Sequence, residues 1–367
     1  MCVKMTGKSV FLYSDAYLKY NLGETHPLKP DRCKRTLEIL RKMGVFDDEN
    51  VMLVEPNPAV EEELKLIHSE EYINFVKRMS ERGYGLLDLG DTPVTKGIYE
   101  GAVARVGGSL EGARLLAEGK ATHAFNFGGG WHHAHRDGAA GFCVFNDVAI
   151  AARFLLKRGF RRIAIIDIDG HHGDGTQEAF YEESDVLTIS FHRYGFGFYP
   201  GTGSTEEIGE NEGKGYSVNV PLPAGTSDAS YLFAFGEIVP PLLSAFKPEI
   251  LIQQFGADAH YEDPLVGLAL TTHAYEEIAK RMHALAHSLC EGRLLILGGG
   301  GYKPENVARI WSLAFLVISG AKCEKSAYEK LHDSVEVRRK ASEKISNEVR
   351  KVVEEVKKKV FKFHGIC

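Results

Sequence analysis

Residues 163–175 read IAIIDIDGHHGDG, an apolar run followed at once by three aspartates and two histidines. The apolar part predicts a buried strand. On an extended backbone Asp167, Asp169 and His171 share parity, so their side chains point to one side where the strand ends. Buried carboxylates this close together need a cation. The stretch therefore predicts a divalent metal site at the end of a buried strand.

Apolar runs alternate with helical patterns along most of the 367 residues, which predicts an α/β fold with a parallel sheet and helices on both faces. The predicted strands are VFLYS, HAFNF, RIAIIDID, VLTISFH, YSVNVPL, EILIQQFGAD and RLLILGGGG. Five of them are followed by polar, glycine-rich loops. Ligand sites of open parallel sheets form outside the carboxyl ends of the strands, so we expect a loop-built active site there.

Composition and charge argue against several classes of protein. A hydrophobic fraction of 44% suits a globular chain, and a net charge of −6 gives no overall basic footprint for direct nucleic-acid binding. The six cysteines form no C-x-x-C pair, which fits neither a disulfide framework nor a thiolate zinc site. We see neither a signal-peptide pattern nor an apolar run near the ~20 residues that span a bilayer. We expect a cytoplasmic protein without membrane contact.

Two further segments supply partners for the aspartates of the opening stretch. A catalytic zinc site takes three protein ligands and keeps one position open. Asp258 follows the apolar run EILI and is the expected third ligand beside Asp169 and His171. His132 and His133, in GGGWHHAH, could be metal ligands, general bases or solvated loop residues. Asp167 and Asp174 could each accept a hydrogen bond from one of these imidazoles and so fix its tautomer.

The segment LGGGGYKPEN places Tyr302 after four glycines at the end of a strand. A tyrosine hydroxyl there could donate a hydrogen bond to a developing oxyanion. A phosphate-binding loop is an alternative, although the lysine and hydroxyl residue of a P-loop are missing in register. A packed aromatic residue at the start of a helix is the other alternative.

Together these strings resemble the zinc-dependent histone deacetylase superfamily, and within it the prokaryotic, acetoin-utilisation-type members. The matching pieces cover residues 8 to 320 and are HPLKPDR, GGGWHHAHRDGAAGFCVFND, DIDGHHGDGTQEAFY, SFHRYGFGFYPGTG, QFGADAHYEDPL and LGGGGY. The resemblance implies the arginase/deacetylase fold, with a central parallel sheet of about eight strands. We expect a catalytic domain over residues 1–320 and, over 321–367, a charged amphipathic helical extension packed on the core.

The resemblance also implies a reaction, the hydrolysis of N-acetyl-lysine in a protein or peptide with release of acetate. It assigns the metal to Asp169, His171 and Asp258. The general base and acid that acts with the metal-activated water is then His133, paired with Asp174, and its electrostatic neighbour is His132, paired with Asp167. Tyr302 would stabilise the oxyanion. One histidine and two carboxylates suit Zn²⁺, and Fe²⁺ is the alternative.

Further residues match the family's substrate and ion sites. The resemblance places Phe142 and Phe198 in the walls of an acyl-lysine tunnel, Gly141 and Leu265 at its wall and rim, and Asp91 where the substrate backbone is held. It places Arg32 and Gly129 at an internal cavity for acetate. A potassium ion would lie beside Asp167, Asp169, His171, Ser190 and Phe191.

Several alternatives stay open at this point. An acetylpolyamine amidohydrolase would use the same core, but polyamine-selective relatives carry an acidic rim residue where this chain has Leu265. A non-catalytic acetyl-lysine-binding module would not need the complete set of histidines, aspartates and tyrosine. An arginase-like enzyme with two metals would not need Tyr302 or the tunnel phenylalanines. His260, two residues after Asp258, is expected to be a solvated loop histidine. The acyl-chain length, the physiological substrate and the oligomeric state are left open.

Overall fold

The computed structural model describes residues 7–334 and 342–366, and there eight parallel strands form one sheet. The strands are β1 (Ser9–Leu12), β2 (Val51–Val54), β3 (His123–Asn126), β4 (Ile163–Asp167), β5 (Val186–Arg193), β6 (Ser217–Leu222), β7 (Ile250–Gln254) and β8 (Leu294–Leu297). Their order across the sheet is β2-β1-β3-β8-β7-β4-β5-β6. The predicted parallel sheet of about eight strands is confirmed.

Helices cover both faces of this sheet, as predicted. They are α1 (Arg32–Lys42), α2 (Glu61–Leu64), α3 (Glu70–Arg82), α4 (Ile98–Ala117), α5 (Asp147–Lys157), α6 (Asp174–Phe180), α7 (Asp228–Phe246), α8 (Thr272–Leu289), α9 (Pro304–Ser319), α10 (Lys325–Glu329) and α11 (Glu343–Val360). Helices α3, α4 and α5 contribute to one hydrophobic core, and α1, α7, α8, α9 and α11 contribute to the other.

The central strands are apolar on both sides because both of their faces are covered. In β4, Ile163 and Ile165 belong to one core, whereas Ala164 and Ile166 belong to the other. Such a strand has no solvent face, so its sequence reads as a continuous apolar run. For this reason the sequence of residues 163–167 is sufficient to predict a buried strand.

Strand β2 is the one strand of the sheet that the sequence pattern did not reveal. It lies at the sheet edge beside β1, and of its four residues only Val51 is buried. Its sequence VMLV is apolar throughout, but a run of four apolar residues cannot be told from part of a helix by its pattern alone. The pattern therefore gave seven strands where the sheet has eight.

Helix α11 places Val349, Val353, Val356 and Val360 in the core, next to α7 and β6. Its remaining face carries the lysines and glutamates of the terminal segment. Three parts of the two predicted domains, residues 1–6, 335–341 and 367, lie outside the described residues.

Helix α7 has the length and apolar composition that would allow a membrane span. Half of the 18-residue window concerned is buried within the fold, and the helix contacts α8 and α11. Its apolar side chains, among them Tyr231, Phe235 and Leu242, lie in the core. The composition of α7 is therefore accounted for by its packing between layers of the domain.

Candidate active site

The five glycine-rich loops follow five strands that are neighbours in the sheet, β3, β8, β7, β4 and β5. All strands run in the same direction, so these loops meet at one edge. The predicted metal ligands and both histidines of GGGWHHAH are buried there. Neighbouring strands thus bring together residues that are up to 170 positions apart in the sequence, from His132 to Tyr302.

The three predicted metal ligands converge on one point. Nδ1 of His171 lies 2.9 Å from Oδ2 of Asp258 and 3.2 Å from Oδ1 of Asp169. Two ligand atoms of a tetrahedral zinc ion, each at ~2.0–2.1 Å from the metal, are about 3.3 Å apart. The observed spacing therefore suits three ligands of one ion.

The other oxygens of the two carboxylates are already held by the protein. Oδ2 of Asp169 accepts hydrogen bonds from Nε2 of Gln254 at 2.8 Å and from the backbone N–H of Gly300 at 2.7 Å. Oδ1 of Asp258 accepts one from the N–H of Gly170 at 2.6 Å. Each carboxylate therefore keeps one oxygen directed at His171.

The charge of this site calls for a cation. Among the described residues, neither Asp169 nor Asp258 forms an ion pair with a lysine or arginine. Burial, and next the charge of Asp169, raise the pKa of Asp258 to about 8. Two carboxylates that resist joint ionisation are stabilised by a divalent ion between them. The donor set of two carboxylate oxygens and one imidazole nitrogen fits such an ion.

The adjacent histidines each have an aspartate partner. Nδ1 of His132 lies 2.6 Å from Oδ2 of Asp167, and Nδ1 of His133 lies 2.6 Å from Oδ1 of Asp174. Their Nε2 atoms are 3.0 Å apart and face each other. The structure thus forms the two predicted histidine–aspartate pairs. In each ring Nε2 is not bonded to an aspartate and remains available for proton transfer.

The two imidazoles differ in charge despite this similar geometry. Burial lowers the pKa of His132, but the carboxylates of Asp167 and Asp169 outweigh it and raise the pKa to about 9. Burial, and next the charge of His132, lower the pKa of His133 to about 4 in spite of Asp174. At neutral pH His132 is therefore protonated, and His133 is a neutral base.

Tyr302 is held beside the metal ligands by its glycine-rich loop. A Cβ atom at Gly300 would lie 2.2 Å from Oδ2 of Asp258, so this position needs a glycine. The Tyr302 ring lies 6.4 Å from that of His171, and its N–H donates to Oδ2 of Asp263. Burial raises the pKa of the Tyr302 phenol well above its ordinary value, so the hydroxyl remains a donor.

Aromatic rings surround these residues. The Phe142 ring lies 5.8 Å from that of Tyr302, and the Phe198 ring stacks on His171 at 5.2 Å. Tyr199, which the sequence analysis did not select, lies with its ring 5.0 Å from that of His133. Its position beside Phe198 in GFGFYPGTG was the available signal.

Gly141 allows the loop that carries Phe142 to approach His133. Its φ is +51°, and a Cβ atom there would lie 2.5 Å from Cδ2 of His133 and 2.7 Å from the Tyr199 hydroxyl. Any side chain at this position would displace the histidine or the tyrosine.

Asp91 and Leu265 are both exposed. The neighbour of Asp91, Thr92, accepts a hydrogen bond from the N–H of Phe142 at 3.1 Å, which places the Asp91 loop beside the tunnel wall. Asp91 also borders a surface cavity that is lined by Asp88, Gly141 and Tyr199 as well. Both residues are thus accessible to a substrate that enters between these loops.

Arg32 and Gly129 are buried behind the loops of the site. The Arg32 guanidinium donates to the carbonyls of Gly299 at 2.8 Å and Gly301 at 2.9 Å. Gly129 precedes Gly130, which lines a small cavity together with Trp131, Tyr302 and other site residues. Neither Arg32 nor Gly129 lines that cavity directly, and their role in acetate handling stays a prediction.

The residues predicted to bind potassium lie at adjoining strand ends. Asp167 and Ser190 are register partners in β4 and β5, and Phe191 follows Ser190. Asp169 and His171 continue the chain beyond β4. The five residues are therefore brought together, while an ion between them stays a prediction.

Three buried polar residues outside the predicted set support the site. Asp147 accepts hydrogen bonds from the N–H groups of Gly130 and Trp131, and Nδ2 of Asn146 donates to the carbonyl of His132 at 3.2 Å. Gln254 bridges Asp169 and the Gly130 carbonyl. Their signal in the sequence was a polar residue at an apolar strand end or at the start of a helix.

His260 is not the solvated loop residue that we expected. It is 1% exposed, and its Nε2 lies 2.9 Å from Oδ2 of Asp333. Nδ2 of Asn306 lies 3.2 Å from its Nδ1. The expectation was wrong because the segment after α10 folds back over this loop and supplies Asp333. His260 thereby links the Asp258 loop to the start of the C-terminal extension.

Comparison with known proteins agrees with this geometry. A model of the histone deacetylase domain matches residues 26–318, which include every predicted metal ligand, both histidines and the tyrosine. The chain is 43% identical over 316 residues to the acetoin utilization protein AcuC of Bacillus subtilis, covering 83% of this chain and 81% of that protein. It is 40% identical over 306 residues to a probable deacetylase of Archaeoglobus fulgidus, covering 83% and 84%.

The fold is similar to a solved structure as well. The crystal structure of the HDA15 HD domain superimposes with a TM-score of 0.80 at 29% identity, covering 97% of this chain and 99% of that one. This similarity confirms the arginase/deacetylase fold that the sequence motifs implied.

Proposed function

The chain belongs to the histone deacetylase family, and we propose that it hydrolyses the amide of N-acetyl-lysine in a protein or peptide and releases acetate. The observation that carries this proposal is the convergence of Asp169, His171 and Asp258 beside the facing pair His132 and His133. Nε2 of His132 lies 3.9 Å from the Asp169 carboxylate. A reacting group could therefore touch the ligand set and both imidazoles at once.

Asp169, His171 and Asp258 would hold a divalent ion. One histidine and two carboxylates suit Zn²⁺, and Fe²⁺ fits the same donors. Such an ion supplies Lewis acidity to the acyl carbonyl and to the attacking water. The potassium ion predicted beside Asp167 and Ser190 would add positive charge behind these ligands.

The protein's own groups then move the proton. His133 is neutral at Nε2 and takes a proton from the attacking water, while Asp174 holds the N–H at Nδ1 and so fixes the tautomer. The same Nε2 returns the proton to the leaving amine. His132 stays protonated and stabilises the negative charge that develops nearby.

Tyr302 acts on the other side of the acyl group. Its hydroxyl keeps its proton at neutral pH and donates a hydrogen bond to the carbonyl oxygen as that oxygen becomes negative. The glycines before Tyr302 let the loop lie against the two ligand carboxylates, so the donor stands close to the reacting carbon. Such a donor stabilises the transition state more than the bound substrate.

The aromatic rings suit the side chain of a lysine. Phe142, Phe198 and Tyr199 present apolar faces beside Tyr302 and the histidines, and would pack on the lysine methylenes. Asp91 stands at the entrance, where its carboxylate can accept hydrogen bonds from the substrate backbone. The acetyl group would then reach the metal ligands.

A small acetylated amine is the second candidate substrate. The entrance carries two carboxyl groups, Asp88 and Asp91, and burial, then Asp88, raise the pKa of Asp91 to about 6. The entrance is thus negative at neutral pH, which would attract the free ammonium groups of an acetylpolyamine. The exposed Leu265 at the rim favours the peptide instead.

Turnover of three substrates by the purified protein distinguishes these functions. We expect acetate release from an acetyl-lysine peptide with kcat/KM at least tenfold above that for an acetylpolyamine. A long-chain acyl-lysine peptide tests acyl length in the same assay. Faster turnover of the polyamine would replace the first proposal by the second, and no turnover of any of them with each metal would contradict both.

A further inference from the structure

A second cluster of potential metal ligands lies at the opposite edge of the sheet. His123 is the first residue of β3, and His283 and His287 are one turn apart near the end of α8. The active-site loops follow the carboxyl ends of the strands, whereas His123 begins its strand. This cluster, which we call the three-histidine cluster, is therefore separate from the site of deacetylation.

The three imidazoles face one another. One ligand nitrogen from each ring lies within 4.8 Å of the other two. The ring centroids are 4.9 Å apart for His123 and His283, 5.1 Å for His123 and His287, and 4.6 Å for His283 and His287. The α8 pair has the i, i+4 spacing that puts two histidines on one face of a helix.

The closest contact has the spacing of a metal site. Nε2 of His123 lies 3.3 Å from Nε2 of His287. Two nitrogens bound to one tetrahedral ion at ~2.0–2.1 Å are about 3.3 Å apart. Without a metal this contact is a hydrogen bond whose donor depends on the ring tautomers, and a metal ion would take the place of the shared proton. His283, which is partly exposed, can turn its ring to complete the set.

The surroundings supply no other partner for these rings. Among the residues that the structure describes, none of the three histidines forms an ion pair with a carboxylate. Burial, and next the two other histidines, lower the pKa of His123 to about 3.

We propose that His123, His283 and His287 form a second metal site, which binds a divalent transition ion such as Zn²⁺. Three imidazoles without a carboxylate are a poor ligand set for Mg²⁺ and Ca²⁺, which prefer oxygen ligands. His287 is exposed and leaves a path for the ion to enter, with the fourth position open to water. The bound ion would join the start of β3 to the last turn of α8.

A second group on the same helix provides a contrast. His273, Glu276 and His332 also lie close together, but Glu276 already accepts hydrogen bonds from Tyr328 at 2.7 Å and from His332 at 3.0 Å, and it pairs with Lys280. Its carboxylate is therefore satisfied without a metal. His273 serves as a matched control, since it is a histidine of α8 outside the three-histidine cluster.

The test counts zinc ions per chain. Metal-stripped full-length protein is loaded with Zn²⁺, freed of excess metal by gel filtration and analysed for zinc. We expect two ions per chain in the wild type and in His273→Gln, and one in the double variant His283→Gln/His287→Gln. If the double variant folds poorly, the single variant His287→Gln replaces it, because His287 is exposed. We expect this variant to bind the second zinc ion with lower affinity than the wild type.

Two further measurements separate this site from the deacetylase site. The Asp258→Ala variant should retain one zinc ion, and Mg²⁺ should not displace this ion. Combining Asp258→Ala with His283→Gln/His287→Gln should remove the remaining zinc. The double histidine variant with Asp258 intact should keep kcat within twofold of the wild type. One zinc ion in the wild type, or equal zinc in the wild type and the double variant, would overturn the second site. Loss of one zinc ion in His273→Gln instead would assign the second ion to the group of His273, Glu276 and His332.

Discussion

Gly141→Ala should reduce catalysis by displacing the general base. The added Cβ would lie 2.5 Å from Cδ2 of His133, whereas ordinary contacts begin at 3.4 Å. Relief of the overlap therefore requires a movement of about 0.9 Å, the difference between these two distances. A misplacement of ~1 Å at a catalytic group can cost ~10² in rate. We expect kcat for the acetyl-lysine peptide to fall ~100-fold, which corresponds to ~2.7 kcal/mol.

The same substitution has a smaller effect on folding. The φ of +51° at position 141 costs an L-residue ~1–2 kcal/mol, which chemical denaturation measures. Gly138→Ala is the matched control in the same loop, because a Cβ there meets no atom within 4 Å. We expect Gly138→Ala to keep wild-type kcat. A folded, zinc-loaded Gly141→Ala protein with kcat within threefold of the wild type would refute the assigned role of His133.

Three further predictions concern other parts of the site. Tyr302→Phe should lower kcat by ~10² to 10³ and leave the zinc content unchanged, because it removes only an oxyanion donor. Asp333→Ala should lower the free energy of unfolding by ~3 kcal/mol, since it leaves buried His260 without its partner. His132→Asn should move the acidic limb of the kcat/KM profile to higher pH, because loss of the positive charge raises the pKa of His133 from about 4.

Each of these has a control and an opposing result. Tyr84→Phe and Asp137→Ala change exposed residues of the same types and should match the wild type. Full activity in Tyr302→Phe, or an unchanged denaturation midpoint in Asp333→Ala, would contradict the corresponding contact. For His132→Asn the limb should stay below pH ~6.5, since burial still lowers the pKa of His133. A limb that moves to lower pH would contradict the charge assignment.

The candidate metal ligands could be selected from the sequence because each follows an apolar strand. Asp169 and His171 come after β4, and Asp258 comes after β7, its neighbour in the sheet. A buried parallel strand can be recognised in the sequence as an apolar run. The carboxyl ends of such strands lie at the same edge of the sheet. Sequence order and sheet geometry together therefore bring these charges to one place.

The residues that the sequence did not reveal depend on contacts between distant segments. Asp147 and Gln254 hold the site through hydrogen bonds to backbone groups, and nothing in their own segments specifies those partners. His260 looked like a loop residue because Asp333, its partner, lies 73 positions away. Edge strand β2 is apolar throughout, but its four residues are too few to distinguish a strand from part of a helix. A local sequence pattern predicts whether a residue is buried. Which distant residue it contacts can be seen only in the three-dimensional structure.

The site is proposed to perform metal-dependent deacetylation with His133 as its base. Its most direct test is acetate release from an acetyl-lysine peptide by metal-stripped protein before and after addition of one equivalent of Zn²⁺ or Fe²⁺. We predict no turnover without metal, recovery with at least one of the two ions, and at least ~10²-fold lower kcat in metal-loaded His133→Asn. Full turnover by the stripped protein, or wild-type kcat in His133→Asn, would contradict the account.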